Sequence, residues 1–220
     1  MLTMQDVSYS YRKRGKRRKV LAGATASFAP GKVYALFGGS GAGKTTCLCL
    51  LGGLDSPQTG EIRLDGKELR EIGGSRLRRS EVSYVFQDYH LFPYMTAVEN
   101  VAFAASIAKK TAGREQIREL LLSLGIDDET MARPVRATSG GQQQRIAIAR
   151  ALVTEPSYIL ADEPTGNLDQ ENTAHIMDIL VDMAHRQKKC VIIATHSADV
   201  CGRADVRLKV DGGRLWEAAG

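Results

Sequence analysis

Short apolar runs, separated by polar and glycine-containing segments, are the main pattern of this chain. Residues 33–37, 157–161 and 190–195 are almost entirely apolar. Runs of this length without alternation are typical of strands buried on both faces, as in a parallel sheet. Residues 46–51 are also apolar and follow a glycine-rich string, which predicts a buried helix. The hydrophobic pattern therefore predicts an α/β fold.

Other segments have the patterns of half-buried strands and helices. Residues 2–11 and 20–28 are predicted to be edge strands, and residues 62–67 a strand with an Asp-Gly turn, which together predict a small antiparallel sheet. Residues 88–152 are predicted to be mainly helical. The apolar positions at helical spacing there are Ile117, Leu120, Leu121 and Leu124. A later amphipathic helix is predicted to pack on the sheet through Ile176, Ile179, Leu180 and Met183.

The glycine-rich string at residues 38–45 is the first candidate for chemistry. It fits G-x-x-x-x-G-K-[ST], the phosphate-binding P-loop, and lies between a predicted strand and a predicted helix. Glycine lets backbone N–H groups close around phosphate oxygens, and the helix N-terminus adds partial positive charge. Lys44 is predicted to reach the β- and γ-phosphates, and Thr45 to offer its hydroxyl to Mg²⁺. The predicted nucleotide-binding residues here are Gly38, Gly39, Ser40, Gly41, Ala42, Gly43, Lys44, Thr45 and Thr46. A glycine-rich turn without a ligand is the alternative.

Two further strands end in residues that suit phosphate chemistry. Asp162 and Glu163 directly follow one apolar run, and His196 follows another. Parallel α/β sheets bind ligands at the carboxyl ends of their strands, so these side chains are expected at the rim that holds the P-loop. Asp162 suits the Mg²⁺ shell, and Glu163 suits polarising the attacking water. The alternatives are a solvated loop pair for the carboxylates and a histidine without a catalytic role.

A second glycine-containing string, residues 139–142, precedes a segment with apolar spacing near the helical period. Ser139 is therefore predicted at or near a helix N-cap. Such an end, with Gly140 and Gly141 allowing close approach of the backbone, makes an anion site separate from the P-loop. A capped surface helix without a ligand is the alternative.

With these motifs in order, the chain resembles the nucleotide-binding subunit of an ABC transporter over essentially its whole length. The resemblance implies that Tyr11 stacks on adenine and that Gln87 is the Q-loop glutamine, contacting ATP and Mg²⁺. Tyr9 is the alternative candidate for stacking on adenine. The resemblance also implies a switch function for His196. The signature residues are Ser139, Gly140, Gly141 and Gln142, and the D-loop at residues 166–169 ends in Asp169. Thr138 stands where the family usually has Leu.

The resemblance implies a fold and an assembly. The expected fold is a P-loop NTPase (RecA-like) core with a mostly parallel sheet, a small antiparallel β subdomain and an inserted helical subdomain. Residues 1–220 form one domain, in which 1–87 and 153–220 are the core and 88–152 the helical subdomain. The P-loop of one copy and the signature and D-loop of a second copy, identical or paralogous, sandwich each ATP. Residues 89–100, rich in large side chains, are expected to receive a membrane permease; sealing the helical subdomain is the alternative.

Several function classes stay open. The sequence of residues 161–169 is similar to the corresponding sequence in one branch of the family. That branch serves macrolide export, lipoprotein release and antimicrobial-peptide resistance. A soluble ATPase acting on ribosomes or DNA is disfavoured, because such proteins usually carry two such domains or long coiled coils. A regulatory ATP-controlled dimerisation switch without transport is disfavoured by the presence of Glu163 and His196.

Charge is concentrated at residues 12–19, where seven of eight residues are Lys or Arg, more than the whole chain's net charge of +5. A solvated hairpin turn is the first interpretation. Contact with anionic lipid is the second. Nonspecific nucleic-acid binding is the third and least favoured interpretation, and specific binding is not expected, since no aromatic interleaving or base-reading motif accompanies the charge.

The remaining composition indicates a single globular domain, with 43% hydrophobic and 25% charged residues. Cys47, Cys49, Cys190 and Cys201 have no C-x-x-C spacing, and neither a signal-peptide pattern nor a spanning apolar run is present. We expect a reduced cytoplasmic protein, held at the inner face of the membrane through its permease.

Overall fold

The computed structural model describes residues 1–13, 16–166 and 168–218. Its central element is a six-stranded sheet in the order β10-β9-β3-β8-β7-β6. Five of these strands are parallel, and only β10 is antiparallel, paired with β9. The strands are β3 (Lys32–Phe37), β6 (Val82–Val85), β7 (Tyr158–Asp162), β8 (Cys190–Thr195), β9 (Val206–Asp211) and β10 (Arg214–Glu217). The predicted α/β class and mostly parallel sheet are confirmed.

A second, four-stranded antiparallel sheet lies on the N-terminal side, in the order β2-β1-β4-β5. Its strands are β1 (Leu2–Lys13), β2 (Lys16–Phe28), β4 (Thr59–Leu64) and β5 (Lys67–Glu68). The antiparallel sheet was predicted, but the prediction of two edge strands is wrong for β1. This strand is interior, because its second side pairs with β4, which comes later in the chain.

Nine α-helices and one 3-10 helix are present in the described residues. The helices are α1 (Lys44–Leu51), α2 (Leu69–Ile72), α3 (Gly74–Ser80), α4 (Ala97–Ile107), α5 (Arg114–Ser123), α6 (Asp128–Met131), η1 (Val135–Ala137), α7 (Gly140–Leu152), α8 (Gln170–His185) and α9 (Ala198–Gly202). Residues 88–96, expected in a mainly helical stretch, contain no helix. Tyr89 and His90 there have positive φ angles of 58° and 49°, which a right-handed helix does not accommodate.

Two hydrophobic clusters occupy the two faces of the parallel sheet. One, with Leu36, Leu160 and Ile192, lies between that sheet, α1 and the antiparallel sheet. The other, with Val191 and Ile193, contains the buried faces of α4, α5, α7 and α8. Successive residues of β8 thus point to opposite clusters, as the unbroken apolar run predicted. The expected core residues of α8 divide: Ile176 and Leu180 are buried, whereas Ile179 and Met183 are half-buried.

The four cysteines are free thiols, and Cys47 and Cys190 are buried. Within the described part of the chain, no helix combines the length and the apolar character that crossing a membrane requires.

Candidate active site

The P-loop is a tight connection between β3 and α1. Gly38, Gly41 and Gly43 have φ angles of 153°, 72° and 113°, a backbone that favours glycine. A Cβ on Gly38 would lie 2.4 Å from the carbonyl oxygen of Val210 in β9, so a side chain at this position would clash with backbone. The loop conformation is therefore set by local glycine spacing together with its packing on β9.

Lys44 opens α1 and is turned back over the loop. Its Nζ donates to the carbonyl oxygens of Gly38 at 2.8 Å and Gly39 at 3.3 Å. The first turn of α1 contains no acidic residue, so the positive N-terminal end of the helix is not neutralised there. Ser40 is exposed and Ala42 half-buried on the same loop. The loop thus presents an ammonium group and backbone N–H groups in one place.

Tyr11 closes one side of a cleft of about 190 Å³ beside the P-loop. Tyr11 is 46% exposed, and its hydroxyl lies 3.2 Å from Oγ1 of Thr46. Tyr9 packs edge-on against Tyr11, with ring centroids 5.0 Å apart, but is buried and donates to Asp55. That hydrogen bond and burial raise the pKa of Tyr9 to about 12. The exposed aromatic face is therefore that of Tyr11, and Tyr9, expected as a substitute, supports it instead.

Asp162 is the last residue of β7 and is only 5% exposed. Burial raises the pKa of its carboxyl, opposed by a hydrogen bond with Thr45 and by the charge of Lys44. The structure thus brings Asp162, at the end of β7, next to Lys44 and Thr45 of the P-loop. An ionised buried carboxylate is stable where a cation faces it, so this pair fits a bound divalent ion.

Glu163 follows Asp162 with a φ angle of 48°, which turns the chain sharply at the end of the strand. Its backbone N–H donates to the carbonyl of Ala194 in β8, at 2.9 Å. Its Oε1 lies 2.8 Å from Nδ1 of His196. The Glu163 side chain is 14% exposed and that of His196 is 74% exposed. Consequently the imidazole can reach a solvent-borne ligand while the carboxylate is held beneath it.

Strand order explains why these groups meet. The strand β8 lies between β3 and β7, and Phe37 pairs with Thr195 while Ala194 pairs with Asp162. The P-loop, His196 and the two carboxylates therefore leave the same edge of three adjacent strands. Gln87 lies exposed just past the end of the neighbouring strand β6, at that edge.

The signature string is at a separate helix N-terminus. Ser139 is the N-cap of α7: its Oγ accepts from the N–H of Gln142 at 3.2 Å, and Gln142 Oε1 accepts from the N–H of Ser139 at 2.9 Å. Gln142 Nε2 also donates to Thr130 Oγ1 at 3.1 Å. Gly140 and Gly141 form the first turn. Among the described residues, no hydrogen bond joins this string to the P-loop.

The described part of the D-loop contacts α7, the helix that begins with the signature residues. Asp169 is the N-cap of α8, and the hydrogen bond from the N–H of Asn172 at 2.8 Å lowers the pKa of its carboxyl. Arg145 of α7 donates from Nη1 to Oδ1 of Asn172. Leu168 lies against Gly141, within 3.2 Å of a Cβ placed there. Asn167 lies outside the described residues. Sequence reasoning missed the Arg145–Asn172 contact, which no local pattern indicates.

Residues 89–100 border a largely apolar cleft of about 410 Å³, lined also by Leu54, Phe103 and Ile107. Phe92 is 43% and Tyr94 75% exposed, whereas Met95 is half-buried. Asn100, in contrast, is fully buried, and its amide makes hydrogen bonds to the backbone of Phe92, Met95 and Thr96. Phe92 and Tyr94 therefore contribute exposed surface, whereas the buried Asn100 holds the backbone of the segment by hydrogen bonds.

The basic run lies on the β1–β2 hairpin, beside the P-loop cleft. Arg14 and Gly15 lie outside the described residues. Arg12, Arg17, Arg18 and Lys19 are exposed. Arg18 lines the cleft of Tyr11 and the P-loop.

Known proteins similar to this chain share one family. The sequence model of the ABC transporter family matches residues 21–166. The chain is 40% identical to the ABC transporter ATP-binding protein YclH of Bacillus subtilis (strain 168), over 97% of this chain and 94% of that protein. It is 39% identical to the lipoprotein-releasing system ATP-binding protein LolD of Chromohalobacter salexigens, over 100% of this chain and 94% of that protein.

Solved structures of one cassette are similar over the full length. The dimeric structure of MJ0796, a bacterial ABC transporter cassette, has a TM-score of 0.93 and 29% identity, covering 100% of both chains. A dimeric post-hydrolysis structure of the same cassette, bound to ADP and Pi, has a TM-score of 0.93 and 30% identity, covering 99% of this chain and 98% of the other.

Proposed function

The chain belongs to the ABC transporter family, and from this premise we propose that it pairs with a second nucleotide-binding subunit around two Mg-ATP and drives a separate membrane permease. It is an ATP-binding subunit and an ATPase of that family. The observation that carries the proposal is the contact between Glu163 and His196 at the sheet edge that also holds the P-loop.

The proposed chemistry is in-line attack of water on the γ-phosphate, catalysed by positioning and charge neutralisation. Lys44 leaves its carbonyl partners in the P-loop for the β- and γ-phosphate oxygens. Glu163 orients the water or accepts its proton, and His196, exposed above it, contacts the γ-phosphate and links it to Glu163. Tyr11 stacks on the adenine through its exposed ring.

The residues present fit a magnesium ion. Asp162 is a buried carboxylate whose pKa is raised by burial and lowered by its neighbour, the hydroxyl of Thr45. Asp162 and Thr45 would hold Mg²⁺, with Gln87 from the neighbouring strand end. When bound, the ion neutralises charge on the phosphate oxygens. A cation also removes the cost of ionising Asp162 in a buried place.

A second subunit completes each site in this proposal. We assign the helical subdomain to residues 88–152, inserted into the core formed by 1–87 and 153–220. Its residues 139–142, at the N-terminus of α7, meet the γ-phosphate bound by the opposite P-loop, and Asp169 lies at the same junction. The dimeric MJ0796 cassette supports two copies. The Arg145–Asn172 contact would keep the signature and the D-loop of one subunit in fixed relation.

The permease is proposed to dock on the 89–100 segment and its apolar cleft. Phe92, Tyr94 and Ile107 offer exposed apolar surface there, which suits an amphipathic helix laid in a groove. Gln87, two residues before this segment, connects the nucleotide site to it. Docking would place the subunit at the inner face of the membrane, as a peripheral protein.

The cargo proposal rests on the relatives. LolD, named for a lipoprotein-releasing system, is 39% identical to this chain. We propose lipoprotein release, or export of or resistance to antimicrobial peptides and drugs, by mechanical transmission. Contact of the basic hairpin with anionic lipid is a further part of this proposal, supported by its exposed charges.

The test compares wild type with Glu163→Gln by sizing chromatography with ATP and by phosphate release. We expect Glu163→Gln to form a stable ATP-bound dimer and to lose turnover. Glu119→Gln, an exposed glutamate of α5, is the matched control and should behave as wild type. If wild type dimerises with ATP but releases no phosphate, the chain is a dimerisation switch and the transport ATPase proposal is wrong.

A further inference from the structure

Arg18 is the cross-strand partner of Tyr11 in the β1–β2 hairpin. Directly paired residues of an antiparallel ladder project from the same face of the sheet, so Arg18 and Tyr11 share a face. Both line the cleft beside the P-loop, together with residues 41–46. A Cβ placed on Gly41 would lie 3.0 Å from Nη2 of Arg18. The guanidinium group is therefore next to the loop that is built to hold phosphate.

Among the described residues, Arg18 is also a cation without a carboxylate partner. It is exposed, and no salt bridge to it is present in the described residues. Arg17, the preceding residue, pairs with Arg12 and points to the opposite face, because strand residues alternate. The basic run is thus divided by the strand into a side that faces the cleft and a side that faces away.

We propose that Arg18 is a nucleotide-binding residue of this chain, whose guanidinium group donates to non-bridging phosphate oxygens of the ATP that lies on Tyr11. This inference rests on the proposed function, since it takes ATP as the occupant of the cleft. An arginine forms charge-assisted, frequently bidentate hydrogen bonds with phosphate. Together with Lys44, it would give the phosphate chain a second cation, supplied by the hairpin and not by the P-loop.

The test measures ATP affinity by calorimetry in EDTA, which prevents hydrolysis, for wild type, Arg18→Ala, Arg18→Lys and Arg17→Ala. We expect a dissociation constant about tenfold higher for Arg18→Ala and about threefold higher for Arg18→Lys. The lysine variant keeps the charge but cannot donate two parallel hydrogen bonds, as a guanidinium group does. Arg17→Ala removes the same charge from the opposite face and should change affinity less than about twofold. Added salt should reduce the Arg18→Ala effect, because exposed charges are screened. Equal affinities for Arg18→Ala and Arg17→Ala would overturn the proposal.

Lys44→Ala separates this inference from the proposed function. If wild type binds ATP, Lys44→Ala does not, and Arg18→Ala binds like Arg17→Ala, the nucleotide site stands and only the role of Arg18 is wrong. If wild type itself binds no ATP, the proposed function fails and the Arg18 inference fails with it.

Discussion

Nδ1 of His196 lies 2.8 Å from Oε1 of Glu163, although the two residues come from different strands and differ fivefold in exposure, at 74% and 14%. The more buried carboxylate thus orients a ring that remains open to solvent. An acceptor at Nδ1 favours a proton on that nitrogen, which leaves Nε2 on the other side of the ring for a further partner. This pairing joins the ends of β7 and β8 through side chains, beside the backbone hydrogen bond from Glu163 to Ala194.

Replacement of His196 by Ala tests that pairing. We expect His196→Ala to lower the rate of phosphate release about 100-fold, because the group proposed to contact the γ-phosphate beside Glu163 is lost. ATP affinity should change less than about threefold, since Lys44 and the P-loop are intact. His175→Ala, which removes an exposed imidazole of α8, should leave turnover unchanged. Turnover of His196→Ala at the wild-type rate would refute the role.

The P-loop glycines differ in what they tolerate. Gly38→Ala places a Cβ within 2.4 Å of the Val210 carbonyl, whereas a Cβ on Gly39 has no atom within 4 Å. We expect Gly38→Ala to lower the free energy of unfolding by about 2 kcal/mol or more, measured in urea without nucleotide. Gly39→Ala, on the same loop, should stay within about 0.5 kcal/mol of wild type. Equal losses would show that β9 does not set the loop conformation.

Features with local spacing were the ones the sequence could predict. The P-loop and the N-cap at Ser139 each depend on residues a few positions apart, and apolar runs located the strands that lead to Asp162, Glu163 and His196. That the carboxyl ends of these strands share one edge follows the general rule for parallel sheets.

The contacts that were not predicted from the sequence depend on strand register and on packing between residues far apart in the chain. Arg18 reaches Gly41 only through the pairing of β1 with β2, which contains an irregularity between Tyr9 and Ser10. Arg145 and Asn172 are 27 residues apart in sequence. Asn100 has the same polarity as an exposed loop asparagine, yet it is buried because the backbone of residues 92–96 folds around its amide. No pattern of residue types indicates these contacts.

Asp162 should destabilise the fold in the absence of ligand at neutral pH. Burial raises the pKa of its carboxyl above the ordinary value of 3.8, so the folded state binds this proton more tightly than the unfolded state. Stability therefore falls as pH rises from 3.8 through the raised value and stays lowered above it. We expect Asp162→Asn to raise Tm by about 2–4 °C at pH 7 and to equal wild type at acidic pH, in thermal denaturation without nucleotide or magnesium.

Asp128→Asn is the matched control for that experiment, because the hydrogen bonds from Arg118 lower the pKa of Asp128 and its ionisation favours the fold. This variant should not gain stability at pH 7. A gain for Asp162→Asn that is independent of pH would contradict the titration argument. Phosphate release should be lost in Asp162→Asn at every pH, since the proposed magnesium ligand is removed.

Gln144 is fully buried in α7, and neither Nε2 nor Oε1 of its amide has a hydrogen-bond partner among the described residues. A buried amide without partners costs about 1–3 kcal/mol. Methionine has a similar length and a flexible apolar chain, so Gln144→Met keeps the volume and removes the cost. We expect the free energy of unfolding of the isolated subunit to rise by about 1–2 kcal/mol, measured by urea titration.

Gln142→Met is the appropriate comparison, because that amide is hydrogen-bonded to the Ser139 N–H and to Thr130 Oγ1. The same substitution two positions earlier in the same helix should lower stability by about 1 kcal/mol, so opposite signs are expected from identical chemistry. Loss of stability in both variants would mean that the Gln144 amide is satisfied in solution, by water held inside the helical segment, and that its burial carries no penalty.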